Sequence, residues 1–412
     1  MEQDKIKTLT QEQLRVKVEL DKWINSKKKS YKCLTGKAGT GKTYLLSCLA
    51  LPKDTLFIAP THQAVSVIAN QTTYPCISYD SATFSRVVIK EDKAVFVSDR
   101  KLWKNAKPYS LIVVDEASMM SSKMVKTLTS IYKTSKILYV GDKGQLPAIE
   151  KDDYSVFSEY DCYELTENMR SGEDNPLLKL ANKNYLTNNI TLPTTSNCNS
   201  KGYKIIKYKE VHELFKKGDI DTICVATNKI RNGINQDIHD YLYPDTTYGI
   251  GEKLIANMNI GYTPDNKRKY DIINSSIVTV LDYKQVVGRV TVAELPTLFV
   301  DLMWDEVLVD ARKKPVLILN SMYDKIYAEF LKSLYRVCKA NSLSWETYHY
   351  YKDYFSDLSY AYAITTHKSQ GSTYDNIGIA CADITNFFDK KVRTALFYTA
   401  VTRAKHICYL IK

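Results

Sequence analysis

Residues Gly36-Lys37-Ala38-Gly39-Thr40-Gly41-Lys42-Thr43 make a complete G-x-x-x-x-G-K-T pattern. An apolar, strand-like run from Tyr31 to Thr35 precedes it and the helix-compatible Tyr44 to Ala50 follows. That strand–turn–helix setting is the one in which such a loop wraps a polyphosphate. Gly36, Ala38, Gly39, Thr40 and Gly41 leave the backbone N–H groups free to turn toward phosphate oxygens. Lys42 brings a charge to the β and γ oxygens, and Thr43 offers a hydroxyl to Mg²⁺. The expected ligands are therefore ATP and Mg²⁺. The fold is constrained just as strongly, because a phosphate loop of this kind sits at the end of a parallel strand in an α/β sheet.

The neighbouring sequence repeats the strand signal. Leu56 to Pro60, Leu111 to Asp115, Lys136 to Gly141 and Tyr163 to Leu165 are short apolar runs separated by helical or loop segments, as in a doubly wound parallel sheet. Residues 11 to 26 place Val16, Leu20, Trp23 and Ile24 on one helical face. Asp115-Glu116 ends one of these strands: Asp115 is placed to hold the Mg²⁺ shell and Glu116 to activate water. Gly141 to Pro147 ends the next, and Gln145 there is placed to meet the γ-phosphate.

At 412 residues the chain exceeds one core and predicts two to three domains. Val87 to Ile89 and Ala94 to Val97 flank a turn-like Lys90 to Lys93, which predicts an inserted hairpin within 86–107. After the polar stretch Thr187 to Lys201, a second alternation begins with a strand at Ile223 to Ala226 and a helix at Asn228 to Tyr243. Residues 253–360 interrupt it with short strands at Ile277 to Leu281, Val286 to Val292 and Leu298 to Leu302, then an aromatic helical stretch from Ser321 to Phe355. Alternation resumes at Ala361, so the second α/β unit is expected to be discontinuous.

Composition narrows the partners. With 57 basic and 46 acidic residues the net charge is +11, which permits a polyanion without demanding one. The 9 cysteines are odd in number, form no Cys-x-x-Cys pair and mostly interrupt apolar runs, which predicts buried thiols in a reducing cytoplasm. No apolar run reaches the roughly 20 residues that span a bilayer, and no cleavable leader is visible.

Further motifs lie in order along the chain: Leu9-Thr10-Gln11-Glu12-Gln13, Ala59-Pro60-Thr61-His62, Asp115-Glu116-Ala117-Ser118, Gly141-Asp142 to Gln145-Leu146-Pro147, Leu165 to Ser171, Thr366-His367-Lys368-Ser369-Gln370-Gly371-Ser372 and Tyr398-Thr399-Ala400-Val401-Thr402-Arg403-Ala404. Together they resemble the superfamily 1 helicases, in particular the superfamily 1B branch of the RecD and Dda type. One stretch departs: Ser81-Ala82-Thr83-Phe84-Ser85 stands where related enzymes often carry a Thr-Ile-His-type run. The resemblance implies an α/β fold with two RecA-like P-loop NTPase domains, an inserted β-hairpin and an inserted SH3-like β domain. It places the first RecA-like domain at 1–172 with its hairpin at about 86–107, the second at 173–252 and 361–412, and the insertion at 253–360.

The same resemblance implies roles. Gln13 would read adenine, and Gly371 would lie beside the nucleotide. Arg170 and Arg403 would reach the γ-phosphate, where a loose phosphoryl-transfer transition state needs positive charge. Pro60, Thr61, His62, Thr83, Thr366, His367 and Lys368 would contact single-stranded DNA, through groups that suit the backbone better than the bases. His62 and His367 have a second reading as satisfied structural histidines, and Trp103, Lys101 and Lys104 as packed or solvated residues. The implied activity is an ATP-dependent 5′ to 3′ DNA helicase of replication or recombination that acts as a monomer in the cytoplasm, of a bacterial host if phage-encoded. Its partners would be single-stranded and forked duplex DNA, then a single-strand-binding protein or replisome components. The rival class is a nucleic-acid-bound NTPase switch without processive unwinding. RNA stays open as the strand, since phosphate contacts do not distinguish the sugars.

Overall fold

A computed structural model describes residues 9–90, 93–147, 154–167, 175–199, 201–263 and 269–412. The chain divides into two compact units, Met1–Ile230 with Ile364–Lys412, and Arg231–Ala363.

The first unit opens with the helix Gln11–Asn25, capped by a reciprocal pair in which the Thr10 hydroxyl accepts from the Gln13 N–H and the Gln13 amide oxygen accepts from the Thr10 N–H. Strands β1 (Tyr31–Gly36), β2 (Thr55–Ala59) and β3 (Cys76–Ser78) follow. Then come β4 (Ser85–Lys90) and β5 (Lys93–Ser98), which pair as an antiparallel hairpin from Ser85↔Ser98 to Lys90↔Lys93. Strands β6 (Leu111–Val114), β7 (Lys136–Gly141) and β8 (Cys162–Leu165) complete a six-stranded sheet in the order β3-β2-β6-β7-β1-β8, parallel throughout.

Every residue of β2, β6 and β7 is buried, which explains why these strands read as unbroken apolar runs: a parallel sheet is covered on both faces. One face packs Leu34, Val113 and Leu138 against Val16, Leu20 and Trp23 of the first helix. The other packs Ile58, Ile112 and Tyr139 with Val125 and Leu128 of the helix Ser122–Ile131. Strand direction then puts Gly36 at, and Pro60, Asp115 and Asp142 just beyond, the carboxyl ends of four strands, the edge at which open α/β sheets bind ligands.

A second six-stranded sheet belongs mainly to the same unit. It begins with β9 (Asn197–Cys198), β10 (Gly202–Ile206) and β11 (Thr222–Val225). The chain then builds the second unit, in which β12 (Lys253–Ala256), β13 (Ile260–Thr263), β14 (Lys269–Ile272), β15 (Ile277–Val292), β16 (Leu295–Val309), β17 (Val316–Leu319) and β18 (Leu358–Tyr360) follow one another. Strands β19 (Ala363–Thr365), β20 (Tyr374–Ala380) and β21 (Ala404–Ile411) return to close the order β19-β11-β20-β21-β10-β9. The helix Lys390–Val401 is buried at every position from Thr394 to Val401, as a helix enclosed on all sides must be.

The second unit differs from the sequence expectation in two ways. Ile277 to Leu281 and Val286 to Val292 are one strand: Asp282, Tyr283, Lys284 and Gln285 stay in register with Leu308, Val307, Glu306 and Asp305 after a bulge between Val280 and Asp282. Their side chains are exposed or half-buried, so the apolar pattern lapses while the backbone ladder continues. The compact unit also starts at Arg231, ahead of residue 253. Asn235 exchanges hydrogen bonds with the Ala363 backbone at 3.2 and 2.7 Å, and His239 contacts Glu252 at 2.8 Å, which ties the helix Asn228–Leu242 to the inserted strands. The unit holds two cores. One lies within the five-stranded sheet β17-β16-β15-β12-β18, and the other is where the helices Asp324–Lys339 and Trp345–Lys352 cover Val290, Leu302 and Trp304.

Candidate nucleotide and nucleic-acid sites

The phosphate loop leaves β1 at Gly36, where a Cβ would lie 2.5 Å from Thr40 Oγ1 and 2.9 Å from the Leu165 carbonyl. It enters the helix Lys42–Ser47 through Gly41, whose φ of 78° is left-handed and suits glycine. Lys42 Nζ donates to the Gly36 and Lys37 carbonyls at 2.6 and 3.1 Å. Burial pushes this ammonium below the usual lysine range, against the pull of Asp142, Glu116 and Asp115 and with a further push from the Arg403 charge. A polyphosphate would supply the counter-charge that the loop carbonyls lack.

Gln13 is 1% exposed, and its Nε2 donates to the Thr40 carbonyl at 3.0 Å while its Oε1 belongs to the helix cap. Gln13 thus braces the phosphate loop from beneath, with one hydrogen bond at each end of its amide. A cap residue and a base reader look alike in a one-dimensional motif.

Asp115 and Glu116 follow β6. Asp115 is tied down by its own N–H donating to the Ile58 carbonyl at 2.9 Å, and its Oδ1 accepts from the Glu116 N–H at 2.9 Å. Glu116 adopts φ 52°, a left-handed conformation rare outside glycine and typical of residues held for function. Burial, reinforced by the neighbouring Glu116 carboxylate, pushes Asp115 up to about 6. Asp115 and the exposed Thr43 line one cleft of roughly 790 Å³. A hydroxyl and a carboxylate are hard oxygen donors that fit Mg²⁺. Among the described residues no cluster of three or more His, Cys, Asp or Glu could hold a metal alone, so phosphate oxygens would complete the shell.

The loop after β7 joins the two sheets. Asp142 is 1% exposed; its Oδ1 accepts from the Gly144 N–H at 2.9 Å and its Oδ2 from the Tyr398 hydroxyl at 2.8 Å. The Leu146 N–H donates to Thr399 Oγ1 at 3.2 Å, and the Leu146 carbonyl accepts from Gln370 Nε2 at 3.2 Å. Tyr185, on the helix Pro176–Leu186, donates to the Lys143 carbonyl at 3.3 Å. Between these anchors sits Gln145, 8% exposed, with its Oε1 buried and without a hydrogen-bond partner among the described residues.

Arg403 is also buried and donates to the Thr399 and Ser372 carbonyls and to Thr402 Oγ1 at 3.2, 3.1 and 3.3 Å. A concavity of about 360 Å³ is lined by Ala38 and Gly39 from the phosphate loop and by Thr402 and Ala404 from the distal motif. A Cβ on Gly371 would stand 3.5 Å from Ala64 Cβ, in the helix His62–Ala69. Arg170 lies outside the described residues.

On the nucleic-acid side, Pro60, Thr61 and His62 lie at the carboxyl end of β2, where Thr61 caps the following helix by accepting from the Ala64 N–H at 3.2 Å. His62 and His367 are each pushed down by burial, in His62 against the pull of Asp80, which favours neutral imidazoles. Lys368 is half-buried beside His367. Thr83 and Thr366 lie deeper. Both are 0% exposed, and their hydroxyls donate to the Tyr79 and Val225 carbonyls at 2.9 and 3.0 Å. They shape the surface from below.

Known proteins resemble the chain along its length. Residues 8–189 match the family model described as an AAA domain, and 360–411 match the UvrD-like helicase C-terminal domain, together more than half of the chain. It is 22% identical to the ATP-dependent DNA helicase dda of Enterobacteria phage T4, over 93% of this chain and 95% of that protein. The chain belongs to the superfamily 1B helicases of the Dda type. An uncharacterized protein of Acanthamoeba polyphaga mimivirus, R530, is also 22% identical, over 90% of this chain and 93% of its own length. A solved Pif1 helicase, studied as two coordinating copies unwinding forked double-stranded DNA, shares the fold with a TM-score of 0.52 and 17% identity, over 97% of this chain and 92% of that one.

Sequence reasoning passed over several residues of this helicase that join its two sheets. Gln370, Tyr398 and Thr399 stand inside recognised motifs, but nothing in their spacing tells which of them face the loop after β7. Tyr185 lies in no motif at all.

Proposed function

We propose that this chain is an ATP-dependent DNA helicase that hydrolyses ATP between its two RecA-like halves and moves 5′ to 3′ along single-stranded DNA. One observation carries the reading. The loop that holds Gln145 is bonded on both sides by residues of the other half, so a change at the γ-phosphate must alter how the halves meet.

Phosphates entering the loop would draw Lys42 Nζ from the Gly36 and Lys37 carbonyls. Thr43 and Asp115 would hold Mg²⁺, which supplies positive charge against the phosphate oxygens. Glu116 takes the proton from the attacking water, and Gln145 positions that water or the γ-phosphate. Arg403 stabilises the charge that develops on the γ-phosphoryl oxygens once it leaves its carbonyl partners, and Arg170 is its proposed companion. Thr61, His62, His367 and Lys368 track the strand backbone, and the β4–β5 hairpin is the proposed wedge at a fork. The five-stranded sheet of the second unit supports the reading of an inserted SH3-like domain. A monomer in the cytoplasm, serving replication or recombination beside a single-strand-binding protein or replisome components, completes the proposal.

A forked duplex with both tails tests the activity. Strand release that needs ATP and Mg²⁺ and disappears in Lys42→Ala supports the helicase. Strand binding and ATP turnover without release favour a nucleic-acid-bound switch.

A further inference from the structure

At the foot of the hairpin the first unit has another concavity, of about 340 Å³, which shares no residue with the nucleotide cleft. Pro60, Tyr79, Asp80, Arg100, Trp103 and Lys123 are among its lining residues. Trp103 is fixed there: its Nε1 donates to Ser98 Oγ at 2.8 Å, and the Arg100 guanidinium lies 5.7 Å from its ring centroid. Arg100 and Lys123 are exposed, whereas Asp80 is half-buried. The Asp80 carboxylate feels the nearby His62 imidazole electrostatically but makes no hydrogen bond or ion pair with another described residue.

The chemistry selects the occupant. A phosphate would be repelled by Asp80, and a purely apolar group would leave that carboxylate with no donor. A flat ring bearing N–H groups, joined to a phosphodiester, satisfies all three kinds of wall. Its face lies on the indole, its N–H edge meets Asp80, and its phosphates meet Arg100 and Lys123. Guanine presents two adjacent donors on the edge that a single strand leaves free, matching both oxygens of one carboxylate.

We infer that this pocket receives one unstacked nucleobase of the bound single strand, stacked on Trp103 and read by Asp80 with a preference for guanine. The inference rests on the strand-binding reading above and adds to it a base-dependent contact beside the hairpin.

The test uses the full chain and a thymidine 12-mer in which 2-aminopurine is moved one position at a time. One position should be quenched well below its neighbours. Trp103→Leu should abolish that quench while Trp103→Phe keeps part of it, and an abasic site at that position should weaken binding about 5-fold or more. Guanine there should bind more tightly than inosine, which lacks the second donor, and Asp80→Asn should erase the difference. Uniform fluorescence, or a quench that Trp103→Leu leaves intact, with strand binding normal, would overturn the pocket and leave the helicase reading standing. A Trp103-dependent quench with no guanine preference would overturn the role of Asp80. Failure to bind any oligonucleotide would overturn both readings.

Discussion

Tyr398→Phe removes a single oxygen from the link between the two halves. The hydroxyl donates at 2.8 Å to Asp142 Oδ2, and both residues are 1% exposed. Burial and the adjacent Asp142 hold the phenol well above the usual tyrosine range, so it stays a donor at any working pH. A hydrogen bond to a charged group contributes about 1.5–3 kcal/mol, and its loss leaves a buried carboxylate oxygen unpaired. If that free energy is spent on the arrangement competent for hydrolysis, turnover falls about 10- to 150-fold. The hydroxyl also meets the Ala38 backbone N–H of the phosphate loop, so any rise in the KM for ATP should stay smaller than the fall in kcat. The assay is steady-state ATPase with and without single-stranded DNA, alongside thermal unfolding to account for any global loss. A fall in kcat without a matching rise in KM, most pronounced in the DNA-stimulated rate, is the expected result. A variant with wild-type kcat, or one whose only change is a higher KM, would refute the coupling role of this contact.

Three further outcomes follow from the geometry. Lys42→Ala should abolish ATPase while leaving single-strand affinity measurable by anisotropy; loss of both together would place Lys42 in the fold and not in the chemistry. Asp115 titrates higher in the folded chain than in the unfolded one, so its contribution to stability is complete at a pH below the ordinary carboxylate range and is lost as pH rises through about 6. Asp115→Asn, which keeps the Oδ1 acceptor, should therefore stabilise the nucleotide-free protein above pH 6 by up to about 3 kcal/mol and give no gain near pH 4; unfolding curves that show no such pH dependence would count against it. Gln13→Ala should cost about 1–3 kcal/mol and raise the KM for ATP without changing the preference for ATP over GTP, whereas a collapse of that preference would make Gln13 a base reader.

The legible parts of the fold are those where one physical demand acts on consecutive residues. Burial on both faces of a parallel sheet forces unbroken apolar runs, and β2, β6 and β7 appear where those runs lie. The hairpin was equally visible, since Lys90 to Lys93 separates two β-branched runs and the pairing brackets it. Where the demand is met across the chain, sequence is silent. Asp282 to Gln285 looks like a break because its partners lie 20 to 26 residues further on. Thr83 and Thr366 carry the chemistry of phosphate ligands, yet nearby carbonyls claim their hydroxyls, and no local pattern records that choice. Gln13 shows the same ambiguity, since its neighbours specify a helix cap and only the tertiary fold adds the Thr40 carbonyl. The contact between Asp142 and Tyr398 joins residues 256 apart in sequence.

Polarity-resolved unwinding tests the whole account most directly. Two forks of the same duplex, one with only a 5′ single-stranded tail and one with only a 3′ tail, are mixed with the protein, ATP and Mg²⁺ under single-turnover conditions. Release of the strand from the 5′-tailed fork alone is the predicted result. Release from the 3′-tailed fork alone would contradict the direction, and release from neither, with ATP turnover intact, would contradict the motor itself.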